Sequence, residues 1–67
     1  MYGNLKAEMA RRDLSMSDVG AMCGMSLQKF SRRMQGKIPF SVDDAILIRH
    51  KMGLHDTDIE FLFKKEV

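Results

Sequence analysis

Acidic residues are missing from the middle of this chain. No aspartate or glutamate lies in residues 20–41, whereas that stretch holds Lys29, Arg32, Arg33 and Lys37. The other seven basic residues and all nine acidic ones lie outside it, so the net charge of +2 combines +4 in the middle with −2 elsewhere. A basic face on a small domain is typical of a protein that binds a polyanion.

Cysteine is also scarce. Cys23 is the one cysteine of the chain, so it has no partner for an internal disulfide, and we expect it to fill the core in a reduced, cytosolic compartment. His50 and His55 have no further ligand at metal spacing, so no metal or cofactor is expected. The N-terminus lacks the apolar run of a signal peptide, and no stretch reaches the ~18 apolar residues of a membrane span.

The length and composition predict one all-α domain over residues 1–67. Proline occurs once, at Pro39, and β-branched residues are few, which favours helices. A chain of this size buries about 60% of its unfolded surface. We expect no deep substrate pocket, no small-molecule ligand and no enzyme activity, because no Ser-His-Asp or Cys-His arrangement stands out either. Asp43 and Asp44 follow Ser41 and are interpreted as the first turn of a helix.

Helix signals divide the chain into five short segments. The first helix is predicted over about residues 5–12, with Asn4 as its N-cap. Ser15 with Asp18 forms a capping box at the start of the second helix. A second capping box begins at Ser41 and opens the fourth helix, which extends to about Met52.

The third and last helices have their own boundaries. Ser26 is the predicted cap of the third helix, over about residues 27–35, and Gly36 ends it. Asp56 or Thr57 is the predicted cap of the last helix. The residues expected to face the core from these two helices are Phe30, Met34, Ile59, Leu62 and Phe63.

Residues 16–36, MSDVGAMCGMSLQKFSRRMQG, contain two helices joined by a glycine turn. This pattern resembles the helix-turn-helix of the Cro/lambda-repressor-like DNA-binding family. The resemblance implies that Gly20 is the tiny residue where the two helices nearly touch and that Gly24 makes the turn. It also implies that Met25 is buried after the turn and that Phe30 anchors the second helix. Residues 36–41, GKIPFS, are similar to the segment after the recognition helix in phage and prophage regulators.

The resemblance covers roughly residues 5–63 and implies a compact five-helix lambda-repressor-like domain. It also implies a small transcriptional regulator of the Cro or repressor type that binds double-stranded DNA. Such a protein acts in the cytosol of a bacterium or phage-infected host, associated with the nucleoid.

The predicted recognition helix offers side chains that suit base edges. An α-helix fits the major groove, where glutamine pairs with adenine and arginine or lysine with guanine. Leu27 can meet a thymine methyl, whereas Arg33 and Lys37 lie nearer the edge and suit phosphates. Amides near Met16 and Ser17 form a second predicted phosphate site. The predicted DNA-binding residues are Ser17, Ser26, Leu27, Gln28, Lys29, Arg32, Arg33 and Lys37.

Each of these residues also has a simpler interpretation. Gln28 can be an ordinary exposed helix residue, the basic run a solvated face, and Leu27 an exposed apolar residue with no task. Two other functions stay open at this point. One is a protein-interaction module such as an antitoxin-like subunit, and the other is a non-specific nucleic-acid binder, including one for RNA.

Apolar residues in the C-terminal part indicate self-association. Four consecutive apolar residues at positions 45–48 cannot share one buried face, and Leu47 is the expected outlier. Phe61 lies away from the apolar stripe of the last helix. We hypothesise a homodimer that uses Leu47 and Phe61, because two reading heads about 34 Å apart multiply affinity and specificity. The alternative is that both side chains fold over edges of the domain.

Overall fold

The computed structural model describes residues 2–65, which form five α-helices and contain no strand. The helices are α1 (Gly3–Arg11), α2 (Met16–Met22), α3 (Leu27–Met34), α4 (Val42–Lys51) and α5 (Ile59–Leu62). The prediction of an all-α fold with five short helices is therefore confirmed. The longest dimension is 28 Å, and the most extensive helix–helix contact joins α2 to α3.

Serine caps fix the starts of α2 and α4, as predicted. The Ser15 hydroxyl accepts a hydrogen bond from the Asp18 backbone N–H at 3.0 Å, and the Asp18 carboxylate accepts one from the Ser15 N–H at 2.9 Å. Ser41 and Asp44 form the same reciprocal pair. Each box satisfies two backbone groups that a helix N-terminus would otherwise leave without a partner.

The predicted cap of α1 was wrong. The helix starts earlier, with Tyr2 at the N-cap position and no side-chain cap. Asn4 lies inside the first turn, where its amide Nδ2 donates to the carbonyl oxygen of Phe61 at 2.8 Å. Tyr2 is buried and packs edge-on against Phe40, with ring centroids 5.1 Å apart. Because Tyr2 is buried, the first turn of α1 lies close to the core. The Asn4 side chain is then placed to connect α1 to α5.

The last helix also begins later than predicted. Asp58 is its N-cap and accepts a hydrogen bond from the Glu60 N–H at 3.3 Å, so neither Asp56 nor Thr57 caps it. Thr57 instead donates its N–H to the carbonyl of Leu54 and closes the preceding turn. As a result α5 is four residues long. Its stability must therefore come from packing, because one helical turn is not stable alone.

The core lies where all five helices meet. It consists of Tyr2, Leu5, Met9, Val19, Phe30, Met34, Ile48, Met52, Leu54 and Leu62. Leu62 is fully buried as predicted, whereas Ile59 and Phe63 are half-buried. Phe63 follows the last turn and packs its ring against Phe40, with centroids 5.2 Å apart. Cys23 and Met25 are half-buried and pack against the same core.

The exposed residue in the apolar run of α4 is Ile46, whereas Leu47 is half-buried. Leu47 follows Asp44 by three residues, so the two lie on the same side of α4. The Arg33–Asp44 ion pair joins α3 and α4 on that side. The prediction that Leu47 is the outlier was therefore wrong, because Ile46 is the residue of this run that is 49% exposed.

Gly20 lies where α2 and α3 come closest. A Cβ atom at this position would lie 3.2 Å from the carbonyl oxygen of Met25 and 3.4 Å from the Phe30 Cβ. The first distance is shorter than most Cβ contacts in proteins, and its partner is backbone. The short distance agrees with the expectation that the two helices nearly touch at position 20 and leave room for only a tiny residue.

Two substitutions at Gly20 are expected to separate helix propensity from crowding. In Gly20→Ala, the gain in helix propensity of about 1 kcal/mol is offset by the close Met25 carbonyl, so stability changes by less than about 1 kcal/mol. Gly20→Val adds two methyl groups and is expected to lose about 1–3 kcal/mol. Urea denaturation measures both. Ala21→Val, at the exposed neighbouring position, is the control, and an equal loss there would contradict the close approach.

Candidate nucleic-acid interface

The turn between α2 and α3 fixes how the two helices meet. Gly24 has a φ of 71°, which glycine adopts without strain. The Met25 N–H then donates to the Gly20 carbonyl at 2.7 Å, and the Ser26 hydroxyl accepts a hydrogen bond from the Lys29 N–H at 3.2 Å. Ser26 is thereby the N-cap of α3, as predicted. The turn and cap together define the direction in which α3 leaves α2.

One face of α3 is buried and the other is free. Phe30 is completely buried and Met34 is nearly so, and the two are one turn apart. The residues predicted to read bases are exposed: Leu27, Gln28, Lys29 and Arg32. Gln28 and Arg32 are also four residues apart, so they lie on the same side of the helix. The structure therefore brings the predicted reading residues onto the outer surface of a helix held by two core side chains.

Arg33 is placed differently from the other basic residues. Its side chain is 16% exposed, and its Nε lies 3.6 Å from the Asp44 carboxylate of α4. One terminal nitrogen donates to the carbonyl of Lys29 at 3.2 Å. The charge of Arg33 is therefore turned toward α4. The sequence prediction missed this pair, since nothing local in the sequence signals that the Arg33 side chain reaches Asp44.

Lys37 and Ser17 flank the outer face of α3 and α2. Both are exposed, and Lys37 follows Gly36, whose φ of 81° ends α3. Ser17 lies in the first turn of α2, where free amides attract anions. Asp18 occupies the same turn and places a carboxylate beside this predicted phosphate site. The negative charge of Asp18 competes with a phosphate there, which the sequence prediction did not weigh.

The capping box at Asp18 has a pH signature. Hydrogen bonds from the Ser15 backbone N–H and hydroxyl hold the pKa of the Asp18 carboxyl below its ordinary value of 3.8. A lowered folded-state pKa adds stability above the unfolded value, and this stability is lost as the pH falls through the folded value.

Asp18→Asn is therefore expected to reduce the acid sensitivity of the fold. Thermal unfolding measures this effect. The melting temperature of the wild type should fall as the pH drops below about 4, and that of Asp18→Asn should fall less over the same range. Asp56→Asn is the control, because Asp56 is exposed and caps no helix. Equal acid sensitivity of Asp18→Asn and the wild type would argue against the cap as its source.

The other reactive side chains of residues 2–65 include one cysteine and two histidines. Cys23 is half-buried at the end of α2, and burial raises the pKa of its thiol. The rings of His50 and His55 meet edge to face with centroids 5.1 Å apart, a proximity that their sequence spacing did not predict. Nowhere in that part of the chain do three or more histidine, cysteine, aspartate or glutamate residues cluster as metal ligands.

A cavity of about 310 Å³ lies between α1 and α3. Its lining is mostly apolar, with Met9 and Met34 contributed by the two helices. The sequence predicted no deep substrate pocket and gave no sign of this cavity, which is partly open to solvent. Sequence periodicity could not have found the cavity, because it depends on how far apart two non-adjacent helices pack.

Comparison of the chain with known protein families, curated proteins and solved structures finds no match. Within residues 2–65, no helix combines the length and apolar character that crossing a bilayer requires. The functional interpretation therefore rests on the residues and geometry of this chain.

Proposed function

We propose that this protein is a sequence-specific double-stranded DNA-binding transcriptional regulator of the Cro/lambda-repressor-like type. The observation that carries the proposal is α3: Gln28, Lys29 and Arg32 point outward, whereas Phe30 and Met34 hold the helix to the core. A helix held in this way can enter the major groove without an ordering cost at the moment of binding.

The exposed side chains of α3 have the chemistry of base readout. Gln28 offers an amide that pairs with adenine, and Lys29 and Arg32 offer donors for guanine. Each good bidentate pair contributes about 1–3 kcal/mol of discrimination. Leu27 is 51% exposed at the start of the helix and suits a thymine methyl group. The protein acts by occupying its site, as a blocker or recruiter of polymerase, and no chemical step is involved.

Backbone contacts come from the rest of the acid-free stretch. Lys37 lies just beyond α3 and is assigned to phosphate, as is Ser26 at its N-terminus. Arg33 lends little to this surface, because its guanidinium is paired with Asp44. The same surface without base contacts would give a non-specific binder, whose affinity falls steeply with salt but varies little with sequence.

A homodimer is the proposed functional form. Phe61 is 53% exposed on α5, and Val42 and Ile46 lie one turn apart on α4 and are also exposed. Leu47 contributes less than first expected, since it is half-buried. Light scattering at tens of micromolar (~10⁻⁵ M) distinguishes the states. A purely monomeric protein at that concentration counts against a stable dimer in solution.

Selection of bound sites from a random duplex library tests the function. Wild type is expected to enrich one sequence, arranged as an inverted repeat with half-sites about 34 Å apart. Gln28→Ala should lose preference at one position per half-site, because one base pair loses its partner. Gln35→Ala, at the C-cap of α3 next to the cavity, is the control. Absence of any enriched sequence from a folded wild type would contradict the proposal.

A protein-partner function is the second candidate, supported by the exposed apolar side chain of Leu27. In that case α3 packs against a protein, as in an antitoxin-like subunit, and Leu27 lies at the centre of the contact. Such a complex is insensitive to salt and forms without DNA, so affinity capture at low and high salt separates it from the first candidate.

A further inference from the structure

The cavity between α1 and α3 has no part in the proposed DNA contacts, and its lining has the chemistry of a binding site. Three residues come from α1 and three from α3 with its C-cap residue: Lys6, Met9, Ala10, Ser31, Met34 and Gln35. In each trio the second and third residues follow the first by three and four positions, so each trio forms one face of its helix. The two faces are the walls of the cavity.

The floor of the cavity suits a flexible apolar molecule. Met9 and Met34 are buried at its base, and Leu14 and Met16 line the end nearest the α1–α2 turn. Methionine side chains are polarizable and adjust to irregular shapes, which is why they recur at adaptable binding surfaces. Met16 is 40% exposed, so this apolar end opens to solvent. Water gains few hydrogen bonds against such walls, and an apolar occupant replaces it favourably.

The opposite end of the cavity carries a positive charge. Lys6 is its one ionisable lining residue, and no acidic side chain lines it. Among the ion pairs of residues 2–65, none involves Lys6. Lys6 precedes Ala10 by four residues, or about 6 Å along α1, whereas Leu14 lies beyond the end of the helix. The cavity is therefore cationic at one end and apolar at the other.

We infer that this cavity binds a hydrophobic monocarboxylate, such as a medium-chain fatty acid. The carboxylate lies at the Lys6 ammonium, and the chain runs over Met9 and Met34 toward Leu14. A volume of 310 Å³ is near the lower limit of ligand pockets and suits a chain of about eight to ten carbons. This site does not depend on DNA binding, so it can succeed or fail independently of the proposed function.

Calorimetric titration with decanoate, below its micelle-forming range, tests the site on the full chain. Wild type is expected to bind one decanoate with a dissociation constant on the order of 10⁻⁴ M. Ala10→Leu fills the cavity and should weaken binding at least about tenfold. Ala7→Leu is the matched control, because Ala7 is exposed on the same helix but does not line the cavity. Equal effects of the two substitutions overturn the site.

A second pair of variants tests the assigned charge. Lys6→Gln should weaken decanoate binding about five- to tenfold and leave the binding of decanol, which lacks the charge, unchanged. Lys64→Gln removes the same charge from the C-terminal segment and should change neither. The inference is overturned by an absence of saturable decanoate binding to wild type at about 1 mM. It is also overturned if Lys6→Gln weakens decanoate and decanol binding equally.

Discussion

Phe30→Ala is expected to unfold a large fraction of the protein at room temperature. Phe30 is completely buried, and its ring packs against Phe40 with centroids 5.9 Å apart. Truncation of a buried phenylalanine costs about 3–5 kcal/mol. A 67-residue domain typically has about 3–10 kcal/mol of stability in total. The loss is therefore comparable with the whole stability of the fold.

Circular dichroism during heating measures this effect, and Leu27→Ala is the matched control. Both substitutions convert a large apolar residue of α3 to alanine, and both raise helix propensity or leave it similar. Leu27 is 51% exposed, so its truncation should change stability by less than about 0.5 kcal/mol. Phe30→Ala should lower the melting temperature by about 15 °C or more. A Phe30→Ala protein as stable as Leu27→Ala would show that α3 is not held by this side chain.

The parts of the fold that sequence predicted correctly are local ones. The capping box at Ser15 and the cap at Ser26 involve residues three positions apart, so the chain itself brings their atoms together. Gly24 and Gly36 adopt the positive φ that ends a helix, which is a property of the single residue. These signals placed α2, α3 and α4 to within one or two residues.

The parts that sequence missed depend on contacts between distant helices. Asn4 has the chemistry of a cap, but the carbonyl of Phe61 is its actual partner, 57 residues away. Arg33 belongs to the basic stretch in sequence, whereas in space its side chain pairs with Asp44 of α4. The sequence also could not decide which residue of the apolar run of α4 is exposed. Ile46 is exposed and Leu47 is half-buried, and the burial of a helix face depends on which other parts of the chain pack against it.

The exposure of the candidate reading residues on α3 was predicted for a related reason. Gln28 and Arg32 are exposed because Phe30 and Met34 point inward, and helical spacing relates these two pairs directly. The sequence also located the acid-free stretch around them. The sequence could not show that Arg33 pairs with Asp44, which lies outside that stretch. It therefore counted the charge of Arg33 as available to a polyanion, although Asp44 partly neutralises it.

Arg32→Glu is expected to reduce affinity for the selected DNA site by about 100-fold or more at near-physiological salt. The substitution removes a donor that suits guanine, worth about 1–3 kcal/mol, and places a carboxylate against phosphates. Arg32 is exposed, and none of the ion pairs among residues 2–65 includes it, so the fold should be unchanged. Fluorescence anisotropy with a labelled duplex measures the affinity.

Lys64→Glu makes the matched control, since it changes the net charge by the same amount on an exposed residue beyond α5. If α3 contacts DNA, affinity should fall in Arg32→Glu and change little in Lys64→Glu. Charges farther apart than about 8–10 Å are largely screened at this salt, so a charge at position 64 has little effect on DNA bound at α3. Equal losses in both variants would indicate attraction to net charge alone, as in a non-specific binder. Unchanged affinity in Arg32→Glu would instead remove α3 from the interface, because a carboxylate cannot lie in the major groove beside phosphates at no cost.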